Sequence, residues 1–124
     1  MKLQNDQINL FLDEASELIE SMEKTLLILD ENPKNKTAIH DFFRGMHTLK
    51  GSSSMFGYPH LSDFAHHFES IYDLIRNDEL DLNKTILTAS FSSIDHFRIL
   101  LSDAALQDIH HQKEHEARVK ELNS

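Results

Sequence analysis

The chain has 124 residues, with 12 Lys and Arg against 21 Asp and Glu, so its formal net charge is −9. The hydrophobic share of 40% and the charged share of 27% lie near globular averages, which predicts one folded domain rather than a disordered segment. The acidic balance argues against nucleic acid as the main partner, because phosphates require a basic surface.

Cysteine is absent, which excludes disulfides, thiol catalysis and thiolate metal sites and is compatible with a cytoplasmic location. The sequence has no apolar run long enough for a transmembrane helix, and residues 1–6 lack the apolar stretch of a secretory signal. We therefore expect a cytoplasmic protein that does not insert into a membrane.

Apolar residues at steps of three and four predict four amphipathic helices, and the scarcity of glycine and proline favours long ones. The helices are predicted at about residues 5–30, 36–55, 59–76 and 82–102. Asn35 is the expected cap of the second helix, and Asp81 or Asn83 that of the fourth.

Each predicted helix carries one apolar stripe that is expected to face the core. These stripes are Ile8, Phe11, Ala15, Leu18, Met22, Leu26 and Leu29; Ile39, Phe42, Phe43, Met46, Leu49 and Ser53; Leu61, Phe64, Ala65, Phe68, Ile71, Tyr72 and Ile75; and Leu87, Phe91, Ile94, Phe97 and Leu101.

The pattern weakens from Asp103 onward. Ala104, Ala105 and Leu106 extend the fourth helix or begin a short fifth one, and residues 107–124 are polar. We therefore predict an all-α fold: an antiparallel up-and-down four-helix bundle over residues 1–104. Residues 105–124 are assigned to a polar tail, a linker or an extra short C-terminal helix.

A histidine and a glutamate are predicted to meet on neighbouring helices. His47 lies on the flank of the second apolar stripe, and Glu69 lies on the matching flank of the third. The hairpin between them centres near Tyr58, eleven residues after His47 and eleven before Glu69. The two side chains should therefore lie at the same height on the same side of the helix pair.

Such a pair has a chemical meaning. A carboxylate that accepts the Nδ1 proton of an imidazole fixes its tautomer and leaves Nε2 as a better nucleophile. Lys50 and Arg44, one turn from His47, could offset the charge of a phosphoryl group at Nε2. Glycine at position 51 costs about 1 kcal/mol in a helix interior relative to alanine. Close approach by another molecule at this position would explain why the cost is tolerated.

The run His47-Thr48-Leu49-Lys50-Gly51, continued by three serines and Met55-Phe56-Gly57, resembles the signature of histidine phosphotransfer (HPt) domains. His66-His67-Phe68-Glu69 resembles the second block of the subgroup in CheA-type chemotaxis histidine kinases. Phe42-Phe43-Arg44 and the opening helix are similar to that subgroup as well. The resemblance covers about residues 5–102, with serines where many members have Gly or Ala.

The resemblance implies that His47 is phosphorylated, that Glu69 orients it through Nδ1, and that Lys50 and His66 belong to the surrounding polar network. It implies two partners, an ATP-binding kinase catalytic domain and a response-regulator receiver whose aspartate accepts the phosphoryl group. ATP and Mg would be bound by the kinase domain, so no cofactor is expected in this one.

The docking face for these partners is expected at Arg44, Gly51 and Ser54. The isolated domain is expected to be a monomer, since no spare apolar stripe is evident.

Two other functions remain open. The chain could be a non-catalytic helical interaction module that binds receivers without phosphoryl transfer. It could also be a His-rich metal-binding bundle, and His111 and His115 at i, i+4 suit zinc. The Glu-x-x-His motifs of di-iron bundles are missing from the predicted bundle, so we predict no metal site. Of the nine histidines, the eight besides His47 are expected to be ordinary surface residues. For His66, a place in the polar network and an ordinary surface position both stay open.

Overall fold

The computed structural model describes residues 5–103 and 108–122, and every regular element in these ranges is an α-helix. The helices are α1 (Asn5–Glu31), α2 (Lys36–Met55), α3 (Pro59–Arg76), α4 (Lys84–Ser102) and α5 (Ile109–Leu122). α2 packs against α1 and α3, and α4 packs against the same two helices and α5. The predicted all-α bundle with a fifth C-terminal helix is confirmed.

Local signals explain where the helices begin. The side chains of Asn35 and Asn83 each accept an N–H from the first turn of their helix, at 3.1 Å for α2 and 2.8 Å for α4. Between α2 and α3, Gly57 has a φ of 83°, a conformation that favours glycine, and Pro59 occupies the start of α3. This turn folds α3 back along α2.

One core cluster joins the helices, and its largest side chains are Tyr72, Phe42, Phe64, Phe68 and Phe97. The stripes predicted for α1 to α3 are buried at most positions. The exceptions, which are half-buried, are Ile8, Leu18, Phe43 and Ile71, and the core residues missing from the predicted stripes of these helices include Ile19 and Ala38.

The buried face of α4 agrees with the predicted one at Ile94 and Phe97 and differs at the other positions. Leu87, Phe91 and Leu101 are half-buried, whereas the buried residues are Ser90, Ser93, Ile94, His96, Phe97 and Leu100. The hydroxyl of Ser90 donates to the carbonyl of Ile86 and accepts from the hydroxyl of Tyr72, both at 2.7 Å. Burial of this serine is therefore inexpensive, because its hydrogen bonds are satisfied inside the bundle.

The polar C-terminal stretch forms α5, which packs against the bundle through partly buried Val119 and Leu122. Ala104, Ala105 and Leu106 lie outside the described residues, so the domain boundary after residue 104 stays a prediction. In the described part of the chain, no helix has the length and apolarity needed to span a bilayer.

α1 and α2 approach closely where Gly45 faces the buried side chain of Met22. A Cβ atom on Gly45 would lie 2.8 Å from both Cγ and Sδ of Met22. A Cβ atom on Gly51, farther along α2, would have no described atom within 4 Å apart from its chain neighbours and the backbone of its own helix. The two glycines of this helix are therefore present for different reasons.

We expect Gly45→Ala to lower the free energy of unfolding by up to about 2 kcal/mol. Overpacking costs about 1–3 kcal/mol, and the better helix propensity of alanine returns about 1 kcal/mol. Gly51→Ala is the matched control, because it gains the same propensity without a clash and should be neutral or slightly stabilising. Urea unfolding followed by far-UV circular dichroism measures both, and equal effects would contradict the steric explanation.

Candidate functional site

The centre of the candidate site is a contact between α2 and α3. Nδ1 of His47 lies 2.7 Å from Oε2 of Glu69. The His47 side chain is 66% exposed, whereas that of Glu69 is 13% exposed. An accessible imidazole is thus held by a largely buried carboxylate.

This contact determines the tautomer of the neutral ring. A carboxylate can only accept, so Nδ1 of His47 carries the proton that it donates to Glu69. Nε2 then keeps its lone pair on a ring that is two-thirds exposed to solvent. That arrangement is the one an imidazole needs to act as a nucleophile.

The other oxygen of the same carboxylate is also occupied. Nζ of Lys50 donates to Oε1 of Glu69 at 2.8 Å, and Nδ1 of His66 lies 3.7 Å from that oxygen, within ion-pair distance. The structure therefore brings His47, Lys50 and His66 together around Glu69.

The pKa of Glu69 reports the balance of these contacts. Burial raises this pKa, but the hydrogen bonds from Lys50 and His47 and the charge of Lys50 outweigh burial and hold the pKa below its usual value. The carboxylate is therefore ionised at neutral pH and remains an acceptor. Its stabilising contribution is present above the ordinary pKa of glutamate and is lost as the pH falls through the lowered value.

Two bonds near the hairpin fix α3 against α2. The hydroxyl of Ser62 donates to the carbonyl of Lys50 at 2.9 Å, and the N–H of Tyr58 donates to the carbonyl of Ser53 at 2.8 Å. Ser62 was not among the residues predicted for the site. The available signal was its position seven residues before Glu69, which places both on one face of α3.

The residues predicted for docking are accessible. Arg44, Gly51 and Ser54 are exposed on α2. Arg44 and Thr48 line a groove of about 300 Å³ between α1 and α2. A larger cavity of about 720 Å³ lies between the α1–α2 and α3–α4 connections, and none of the predicted site residues lines it.

The expectation that the other histidines lie on the surface is wrong for His96, which is 1% exposed. Its Nε2 lies 2.9 Å from Nδ1 of His115, because α5 covers this part of α4. His111 pairs with Asp103 at 3.1 Å, so the two residues considered for zinc have different partners. Within residues 5–103 and 108–122, no three His, Asp or Glu side chains are arranged to hold a metal ion.

Comparisons with known proteins identify related chains. The family model of the Hpt domain matches residues 7–115. The chemotaxis protein CheA of Bacillus subtilis is 33% identical over 97 residues, and that of Borreliella burgdorferi is 33% identical over 103 residues. These alignments cover 78% and 82% of this chain but 14% and 12% of the two relatives, so the chain spans a small part of their length.

Two solved structures are similar in fold. The CheA phosphotransferase domain from Thermotoga maritima has a TM-score of 0.76 at 29% identity, covering 82% of this chain and 96% of that one. The phosphorylated P1 domain of CheA3, in complex with CheY6 from R. sphaeroides, has a TM-score of 0.81 and covers 97% and 98%. Its identity of 21% supports likeness of fold alone.

We expect neutral His47 to carry its proton on Nδ1, and Glu69→Ala to shift the proton toward Nε2, because the acceptor that fixes the tautomer is removed. Nitrogen-15 NMR of the imidazole distinguishes the two forms. Glu79→Ala, an exposed carboxylate in the α3–α4 connection, is the control and should leave the tautomer unchanged. A tautomer that is the same with and without Glu69 would show that the contact does not orient the ring.

Proposed function

Because the chain belongs to the Hpt domain family, we propose that it carries phosphoryl groups in two-component signalling, on Nε2 of His47. The observation that supports this most directly is the 2.7 Å contact of His47 with Glu69, on a ring that is 66% exposed. It commits one nitrogen to a carboxylate and leaves the other accessible to a partner.

In the loading step, Nε2 of His47 attacks the γ-phosphorus of ATP in line with the departing ADP oxygen. A P–N bond forms as the P–O bond breaks. We assign ATP and Mg to the catalytic domain of a histidine kinase, as the family resemblance implies. Nδ1 keeps its proton throughout, and the carboxylate of Glu69 offsets the positive charge that the ring gains when Nε2 bonds to phosphorus.

In the unloading step, a carboxylate oxygen of a receiver aspartate attacks the same phosphorus. The P–N bond breaks, and Nε2 of His47 recovers its lone pair. We propose a response-regulator receiver as the acceptor, since a P1 domain of similar fold was solved in complex with CheY6.

The remaining site residues support these steps. Lys50 is 29% exposed and lies on the same side of α2 as His47, where its charge also favours a phosphoryl group. His66 adds a third partner to Glu69. Arg44, Gly51 and Ser54 would form the docking face, and Gly51 leaves open space beside the histidine.

We further propose that the chain is the phosphotransfer part of a CheA-like chemotaxis histidine kinase in the cytoplasm, or a stand-alone relative of that part. The CheA proteins of Bacillus subtilis and Borreliella burgdorferi support this role. Because the chain spans 14% and 12% of them, kinase activity and control of chemotaxis are proposals about a longer protein.

We expect His47→Gln to abolish phosphorylation while leaving the bundle folded, because glutamine lacks the nucleophilic nitrogen. Intact mass after incubation with ATP and the kinase core of a CheA-like protein should show one acid-labile phosphoryl group on the wild-type chain. His40→Gln, an exposed histidine on the same helix, is the control and should be loaded normally.

Normal acid-labile loading of the His47→Gln variant would overturn the assignment. A wild-type chain that stays unmodified while the kinase core modifies another phosphotransfer domain would favour the interaction-module alternative. Receiver binding alone would not separate the two functions.

We expect Glu69→Ala to slow loading by about 10–100-fold without abolishing it, the size of effect caused by removing the group that orients a metal-bound histidine. The nucleophile itself remains. Single-turnover loading by the same kinase core measures the rate, and Glu79→Ala serves again as the carboxylate control. Unchanged kinetics would mean that Glu69 has no part in orienting His47.

A further inference from the structure

A pair of histidines joins α5 to the bundle. Nε2 of His96 on α4 lies 2.9 Å from Nδ1 of His115 on α5, and the two rings are nearly parallel at 17°. We propose that this pair makes the docking of α5 sensitive to pH, so that the helix is held near neutral pH and released in mild acid.

The pair lies where α3, α4 and α5 meet, so a change in its charge affects the packing of α5. His96 is 1% exposed and packs edge-on against the ring of Phe64 on α3, with 4.8 Å between ring centroids. His115 also contacts Phe64 and the ring of His60, at 5.9 and 5.6 Å between centroids. One contact therefore connects α3, α4 and α5, on a helix that has no fully buried residue of its own.

The chemistry of the contact opposes a charge on the buried His96 ring and opposes protonation of both rings together. A hydrogen bond between two imidazoles needs one N–H and one lone pair, and two neutral rings supply both. Nδ1 of His96 is buried and has no hydrogen-bond partner in the described structure, so a proton there would bring an unpaired charge into the interior. If both rings are protonated, both facing nitrogens carry hydrogens, and like charges replace the bond.

The surrounding charges belong to three helices. The groups that act on His96 are His111, Glu114, His115 and Arg118 of α5, and those that act on His115 are His60, Asp63 and His67 of α3 and Glu116 of α5. Burial is the largest influence on both pKa values and lowers them. The neighbouring cations lower them further, and together these effects outweigh the carboxylates, which raise them. The pKa of His96 falls to about 4, and the pKa of His115 also lies below its usual value.

These directions determine the sign of the pH response. Once α5 leaves, an exposed His96 titrates near its ordinary pKa of 6.5. Docking is therefore at full strength above that value and weakens as the pH falls from 6.5 toward 4. For His96 alone, the docking equilibrium constant should be about 20-fold smaller at pH 5 than at pH 7.

A second contact holds the first turn of α5. Nδ1 of His111 lies 3.1 Å from a carboxylate oxygen of Asp103, which ties the beginning of α5 to the end of α4. Arg118 is held by Glu114 and Glu121 within α5. Release should therefore be greatest beyond His111, in the part of α5 that includes His115.

Hydrogen exchange of the full 124-residue chain at pH 5 and pH 7, corrected for intrinsic exchange rates, tests the proposal. Protection of the α5 amides should fall about 20-fold or more at pH 5, while protection in α2 and α3 stays within about threefold. His96→Phe should keep α5 protected at pH 5, because a neutral ring replaces the titrating one. His115→Phe should show a smaller pH response than the wild type, because one of the two titrating rings is gone. His110→Gln, an exposed histidine of the same helix, is the control and should respond as wild type does.

Three results would overturn the proposal. One is α5 protection that does not change between the two pH values. Another is an equal loss in α5, α2 and α3, which would indicate acid unfolding of the whole bundle. The third is a full wild-type pH response in both phenylalanine variants. If His96→Phe does not fold, His115→Phe still tests the proposal.

Discussion

The carboxylate of Glu69 is 13% exposed, and an ionised group in that position must be compensated by donors close to it. Both of its oxygens are used, one by His47 and the other by Lys50. The donors lie on α2 and the acceptor on α3. The interaction that orients the imidazole is therefore also one that fastens the two helices together, so site geometry and helix packing depend on the same carboxylate.

The site combines a rigid support with an open face. His47 is mounted on a helix rather than a loop, and the hairpin bonds of Ser62 and Tyr58 limit how far α3 can shift along α2. The face is open because Gly51, on the turn after His47, has no side chain. Gly45 serves the opposite purpose on the same helix, since it lets α1 approach from within.

The helix pairing was readable from the sequence because both of its determinants are local. Stripe positions follow from the period of the helix, and equal spacing of His47 and Glu69 about Tyr58 follows from counting. The face of α4 was not readable. Burial of Ser90 depends on the hydroxyl of Tyr72 on another helix, and burial of His96 depends on α5. Neither contact can be predicted from the spacing of apolar residues in α4.

His47 and His96 show why the number of histidines predicts little about chemistry. Each ring has a nitrogen within 3 Å of a partner, but the partner of His47 is a carboxylate and that of His96 is a second imidazole. A carboxylate tolerates a positive ring, so Nε2 of His47 can bond to phosphorus while Nδ1 keeps its proton. His96 is 1% exposed and its imidazole partner brings no negative charge, so this site opposes a positive ring. His96 is therefore unsuited to the carrier role, and its contact responds to protons. The partner and its exposure to solvent therefore assign the role of each histidine.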